Sequence, residues 1–286
     1  MAYPLMEHLT GKGFLYCGKY YRVSSELTES LQKPVDCRIY YETIRVKDSV
    51  LLFVEDHLAR LVKSVKGLEN FPVDTKKILT EAYSLIDMDN ITDGSIRIVL
   101  TNEVLLIHEA DITIPEKELF DNGINTSILN WERKTPNLKI FRGDYKTTVN
   151  AKFKEENDHG LPFELVLTDN EGRLYEGSMS NLFVIRDGKV YSAPDEKILI
   201  GITRKRVMEA LKRSGLELQI GTFKPEELDP ATDAVFVSST PFDILPVRFI
   251  DNYEFGSARN DVLKMISKMY QEYTSEYITA AKNSIK

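Results

Sequence analysis

The chain has 286 residues, 42% of them hydrophobic and 28% charged, enough apolar material for a sizeable core and, at roughly 150 residues each, for about two domains. Its formal net charge of -7, with no Lys/Arg stripe carrying interleaved aromatics, argues against a nucleic-acid partner. No apolar run approaches the roughly 18 residues of a spanning helix, so no membrane partner is expected. Cys17 and Cys37 are too far apart for a Cys-x-x-Cys site, and no secretory-signal pattern precedes them, so the expected compartment is the cytoplasm.

The first half mixes short strand patterns with two helices, which predicts an α/β (α+β) unit. Gly13-Phe14-Leu15-Tyr16 and Lys19-Tyr20-Tyr21-Arg22 flank Cys17-Gly18 as a hairpin. Tyr40 to Val46 and Val50 to Val54 form a second strand pair. From Glu55 to Leu68 the period becomes helical, with Leu58, Leu61, Val62 and Val65 on one face. Asp74 can cap the next helix. Ile96 to Leu100 and Val104 to Ile107 read as a third hairpin, closed by Thr101-Asn102-Glu103.

Between about Ile114 and Asn137, Pro115, Gly123 and Pro136 punctuate a polar run. The expected division is therefore a domain over 1–120, a linker over 121–136 and a second domain over 137–286. That second domain begins with Leu138-Lys139-Ile140-Phe141 and continues through strands at Phe163 to Leu167, Leu182 to Ile185 and Val190 to Ser192. A helix from Thr203 to Ser214 stops at Gly215. Another, from Asn260 to about Ala281, carries apolar and tyrosine residues at helical spacing.

The four histidines, His8, His57, His108 and His159, lack metal-ligand spacing, so no metal site is expected. No Gly-x-Ser-x-Gly elbow, Walker loop or Gly-x-Gly-x-x-Gly fingerprint occurs. Gly201-Ile202-Thr203-Arg204 follows an apolar run and opens a helix whose first amides could hold a phosphate. A plain Thr cap is the commoner use of one such turn. Ser238-Ser239-Thr240-Pro241, after the strand Ala234 to Val237, has the same two readings. Glu176, in Leu174-Tyr175-Glu176-Gly177-Ser178-Met179-Ser180-Asn181, is a strand-end carboxylate, either solvated or paired with a protonated ring nitrogen. Lys146, taken alone, is one surface lysine among many.

Together these stretches resemble the fold-type IV pyridoxal-phosphate enzymes, which include branched-chain aminotransferases, D-amino-acid aminotransferases and aminodeoxychorismate lyases. The likeness runs in order through Tyr41-Glu42-Thr43-Ile44-Arg45, His57-Leu58-Ala59-Arg60-Leu61, Lys146-Thr147-Thr148, Glu176 to Phe183, Gly201 to Arg204, and Ser239-Thr240 to Leu245-Pro246-Val247. It implies a smaller N-terminal α/β domain and a larger cofactor-binding domain with a barrel-like β core. The cofactor it implies is pyridoxal 5′-phosphate. Lys146 would form the Schiff base, Arg60 would hold the phosphate, and Glu176 would face the pyridine nitrogen. Ile202, Thr203, Ser239 and Thr240 would complete the cofactor site. Tyr41, Arg97 and Pro241 would meet the substrate.

The implied reaction is transamination between an amino acid and a 2-oxo acid by a homodimeric enzyme. The expected substrate is an L-amino acid of the branched-chain type, because nothing here matches the Arg-x-His carboxylate trap of D-amino-acid aminotransferases. Aminodeoxychorismate lyase activity is the second reading, and a family scaffold without activity the third. Two departures concern the lysine. Many members carry an Asn-Tyr pair a few residues after it, whereas the pair here reads Asn150-Ala151 unless Tyr145 supplies the hydroxyl. The segment from Lys146 to Glu176 is also a few residues short, which leaves Lys152 as the alternative amine.

Overall fold

A computed structural model describes every residue except Met1, Ala2, Leu9, Ile112, Thr113, Lys134, Phe141 and Lys286; the side chains of Ser284 and Ile285 also lie outside the description. The chain forms two compact units. One comprises Met1–Thr113, Leu138–Asp144 and Ser275–Lys286, the other Ile114–Asn137 and Tyr145–Thr274.

The first unit is built on a six-stranded antiparallel sheet. Its order is Lys19–Arg22, Gly13–Tyr16, Leu105–Glu109, Asp93–Leu100, Tyr40–Lys47 and Val50–Leu51. The three predicted strand pairs are all present within it, the second with a return strand of only Val50–Leu51, because Val54 opens a helix. Alternation along Tyr40–Lys47 sends Tyr40, Ile44 and Val46 into a core shared with Leu58, Leu61 and Val65 of the helix Val54–Lys66. Each such aliphatic side chain, once buried, contributes about 1.5–3 kcal/mol. That helix has Glu55 and Asp56 in its first turn and Lys63 and Lys66 in its last, matching its dipole. Asp74 caps the helix Thr75–Asp89, its carboxylate accepting from the Lys77 amide at 3.0 Å.

The second unit contains a closed β ring. Leu174–Gly177, Glu164–Thr168, Ile124–Asn130, Asp243–Ile250, Ala234–Ser239 and Asn181–Arg186 pair in that order, and the bridge Glu176↔Asn181 joins the last strand to the first. Val166, Leu174, Leu182, Val184, Val235, Val237, Leu245 and Val247 are buried within its core. This is the barrel-like core that the resemblance implies. The helix Ile202–Arg213 ends two residues before Gly215, whose φ of +69° suits the stop expected there.

The linker expected over 121–136 is corrected by the ring itself, because Ile124–Asn130 is one of its six strands, parallel to both neighbours. Its Thr126 and Ser127 are buried and paired. Thr126 donates through Oγ1 to the Phe249 carbonyl at 2.6 Å, and Asn157 donates to Ser127 Oγ at 3.0 Å. The chain also returns, since Leu138–Asp144 and Ser275–Lys286 belong to the first unit rather than to a domain over 137–286. Of the stretch expected to open that domain, Ile140 makes only an isolated bridge to Tyr40, and Phe141 is outside the described residues. No helix among the described residues is long and apolar enough to cross a membrane.

Candidate active site

In the first unit, functional side chains gather around Glu42. This glutamate lies on the inward-facing side of Tyr40–Lys47 and is fully buried. His57 and Arg60, one helical turn apart on Val54–Lys66, reach it together. Arg60 donates from Nε to Oε1 at 2.7 Å and from Nη2 to Oε2 at 2.6 Å. His57 Nδ1 lies 2.8 Å from Oε2, and Lys139 Nζ lies 3.8 Å from the same oxygen. Burial alone would raise the Glu42 pKa, but Arg60 and Lys139 outweigh it and hold the carboxyl well below the usual range. Burial, reinforced by those two cations, lowers His57 to about 4 against the pull of Glu42. His57 is therefore neutral at pH 7, with Nδ1–H donating to the carboxylate.

Lys139 is held by its neighbours. Its backbone N–H donates to Ser64 Oγ at 3.3 Å, and the following Ile140 bridges to Tyr40. The Lys139 ammonium lies 5.1 Å from the Tyr41 ring centroid, over which the Arg97 guanidinium also sits at 5.8 Å. Arg97 donates from Nε to Thr43 Oγ1 at 3.2 Å. The structure thus brings three expected site residues, Tyr41, Arg60 and Arg97, around a lysine outside the motifs that carry the resemblance. Lys146 is a half-buried residue of the helix Gly143–Lys152.

In the second unit, Glu176 sits at the seam that closes the β ring. It is 1% exposed and faces Asn181 across the seam; Asn181 in turn pairs with Ser238 on the next strand. Glu176 Oε2 accepts from the Leu199 amide at 3.2 Å, while Asn181 Nδ2 donates to the Leu199 carbonyl at 2.8 Å. One peptide loop is thereby held from both sides. Two residues further on, Gly201 precedes the helix Ile202–Arg213 with no side-chain cap. A Cβ on Gly201 would come within 2.2 Å of Asn181 Oδ1, so the close approach requires glycine. The Glu176 seam, the Gly201-Ile202-Thr203 turn and the Ser238-Ser239 strand end therefore form one constellation.

Its electrostatics are unusual. Burial, with a smaller push from Glu164, raises Glu176 to about 7, against the opposing effects of Arg133 and the Leu199 amide. Arg133 Nε approaches Glu176 Oε1 to 2.8 Å without hydrogen-bond alignment, and Oε1 has no aligned donor. Arg133 Nη2 donates to Tyr145 Oη at 3.1 Å and to the Ser178 carbonyl at 2.9 Å, with its guanidinium 4.7 Å from the Tyr145 ring centroid. Glu164, fully buried, accepts from Ser178 Oγ at 2.5 Å and from the Ser178 and Leu165 amides. These bonds shape the turn after Glu176. There a Cβ on Gly177 would lie 1.9 Å from Ser180 Oγ.

Ser239 donates to the Met179 carbonyl at 2.7 Å, and Ser238 Oγ is buried without a partner. Thr240 and Pro241 are half-buried in the turn that follows. The residues present suit a phosphorylated pyridine. A buried carboxylate oxygen lacking an aligned donor fits a protonated ring nitrogen, and an uncapped helix start beside an unpartnered serine fits phosphate oxygens. Among the described residues no His/Cys/Asp/Glu group could hold a metal.

Sequence reasoning missed Glu42, Arg133, Lys139 and Glu164. Glu42 and Lys139 left local traces, the first as the acidic residue of a strand that the His57-x-x-Arg60 helix packs against, the second as a lysine followed by Asp144-Tyr145. The others acquire meaning from partners distant in sequence.

The chain is similar to known proteins over most of its length. The family model described as amino-transferase class IV matches residues 40–250. The D-alanine aminotransferase of Bacillus licheniformis is 25% identical over 236 residues, covering 76% of this chain and 80% of that protein. The branched-chain-amino-acid aminotransferase of Salmonella typhimurium is 28% identical over 257 residues, covering 80% and 82%. Among solved structures, the branched-chain amino acid aminotransferase from Escherichia coli superposes with a TM-score of 0.73 at 24% identity, over 91% of this chain and 92% of that one. This last likeness is one of fold.

Proposed function

The chain belongs to the class IV aminotransferases, and from that premise we propose that it transfers an amino group between an L-amino acid with an apolar side chain and a 2-oxo acid, using pyridoxal 5′-phosphate. The observation that carries this reading is the buried Glu176 carboxylate at the seam of the β ring, tied to the loop before the Ile202 helix through the Leu199 amide. When bound, the cofactor supplies an electron-withdrawing ring that acidifies the substrate α-hydrogen. Glu176 keeps the ring nitrogen protonated. In the second unit the Ile202 amide, Thr203, Ser239 and Thr240 would hold the phosphate, and Arg60 is the phosphate arginine that the resemblance implies. Tyr41, Arg97 and Pro241 face the substrate.

For the amine that bonds the cofactor and then moves the α-proton, Lys139 is favoured over Lys146 and Lys152. Lys139 shares Glu42 with Arg60 and lies against Tyr41, two residues expected at the site on independent grounds. With Lys139 in this role, Asp144-Tyr145 follows the lysine where many family members have Asn-Tyr, and the segment to Glu176 is no longer short. The Tyr145 phenol also belongs to the Arg133 group beside Glu176.

The experiment is direct. Purified protein is reduced with borohydride and digested, and the modified lysine is located by mass spectrometry; Lys139 is the expected position. The holoenzyme is then offered a panel of L-amino acids and D-alanine, and conversion to the pyridoxamine form is followed by absorbance. L-leucine, L-isoleucine and L-valine are expected to convert it. Pyruvate release from aminodeoxychorismate, with no conversion by any amino acid, replaces this reading with a lyase; protein that binds no cofactor replaces it with an inactive scaffold. The enzyme is further expected to be a cytoplasmic homodimer, and a monodisperse monomer at micromolar concentration counts against that assembly.

A further inference from the structure

We propose that Glu42 is a positioning residue that sets the spacing between the Arg60 guanidinium and the Lys139 amine and stores that amine as an ammonium ion. The inference rests on the reading of Lys139 as the cofactor amine. One carboxylate serves three groups. Oε1 takes Arg60 Nε, while Oε2 takes Arg60 Nη2 and His57 Nδ1 and lies 3.8 Å from Lys139 Nζ. The two Arg60 bonds are bidentate and fix the guanidinium plane. The third comes from a neutral histidine, which adds a directed donor without adding a competing charge.

The geometry makes the arrangement cooperative. Glu42 is fully buried on the strand Tyr40–Lys47, and its three partners come from a helix and from a returning segment far along the chain. Side-chain exposure rises outward, from 0% for Glu42 to 10% for Arg60 and 16% for Lys139. The carboxylate is thus the inner anchor, and the two cations are its outward-facing arms. An amine held this close to an opposite charge stays protonated and reacts slowly with carbonyl compounds. Replacement of the carboxylate by an amide of the same size removes that hold and sets an NH2 group against groups that are all donors.

The test measures Lys139 in the protein without added cofactor. Reductive methylation with formaldehyde and cyanoborohydride at pH 7 is followed residue by residue, with Lys146 and Lys152 as internal references. In the Glu42→Gln variant, Lys139 labelling is expected to speed up relative to Lys146 by at least about tenfold, as follows from losing an opposite charge within about 4 Å. Glu42→Asp, which keeps the charge, is expected to restore slow labelling. An unchanged Lys139-to-Lys146 ratio in Glu42→Gln overturns the proposal. If neither variant folds, the wild-type pH profile decides: Lys139 must lag Lys146 at neutral pH and catch up at high pH, and equal rates throughout overturn it. Borohydride mapping of the cofactor to Lys146 would overturn the reading of Lys139 instead, whatever the labelling shows.

Discussion

Glu176 and Leu199 are joined by a hydrogen bond of 3.2 Å from the Leu199 amide to the Glu176 carboxylate. Asn181, across the barrel seam from Glu176, holds the carbonyl of the same leucine. The acidic strand end and the loop leading into the helix at Ile202 are therefore mechanically coupled. A displacement of either moves both the proposed ring-nitrogen partner and the proposed phosphate turn.

Glu176 should give the protein without cofactor a distinctive pH dependence. Its folded pKa is about 7 against an ordinary 4.5, so the folded form keeps a proton that the unfolded chain has released. The associated stability is fully present below pH 4.5 and is lost as pH rises through 7. The loss should reach about 2–3 kcal/mol. Urea unfolding from pH 5 to 8 should show this decline in the wild type and not in Glu176→Gln. Parallel curves for the two proteins would contradict the assignment. In the holoenzyme, Glu176→Gln should retain cofactor while slowing α-proton transfer.

Gly201→Ala tests the coupled loop. The new Cβ would meet Asn181 Oδ1 at 2.2 Å, so the asparagine or the helix start must move. We expect a stability loss of about 1–3 kcal/mol from the overpacking. Cofactor affinity, measured by equilibrium dialysis, should weaken by about tenfold or more. Retention of wild-type affinity would remove the Gly201 turn from the phosphate site.

The two lysines can be separated by substitution. Lys139→Met should abolish half-transamination, with a rate loss on the order of 10²–10⁴ or greater, while Lys146→Met should leave the chemical step largely intact. Single-turnover absorbance with L-leucine is the appropriate measurement, because it isolates chemistry from product release. The reverse pattern would return the role to Lys146.

Much of the fold was legible from local signals. The Cys17-Gly18 turn, the Asp74 cap and the 3.6-residue period around Leu58 and Leu61 each encode their element within a few residues. The Glu176 motif, the Gly201 turn and the Ser239-Thr240 strand end were legible for the same reason, since each is a short backbone device. The strand Ile124–Asn130 was not. Its Thr126 and Ser127 read as polar linker, and only their bonds to Phe249 and Asn157 explain why a polar run lies inside a barrel.

Taken by itself, then, the sequence determined the local elements and the order of the motifs that carry the family resemblance, because turns, caps and hydrophobic periods depend on neighbouring residues. Which lysine and which carboxylate stand beside Arg60 was decided only in three dimensions. Apart from the Asp144-Tyr145 pair that follows Lys139, a lysine side chain carries no local mark of its role. Lys139 acquires one from Glu42, Tyr41 and Ser64, residues brought to it by the return of the chain to the first sheet.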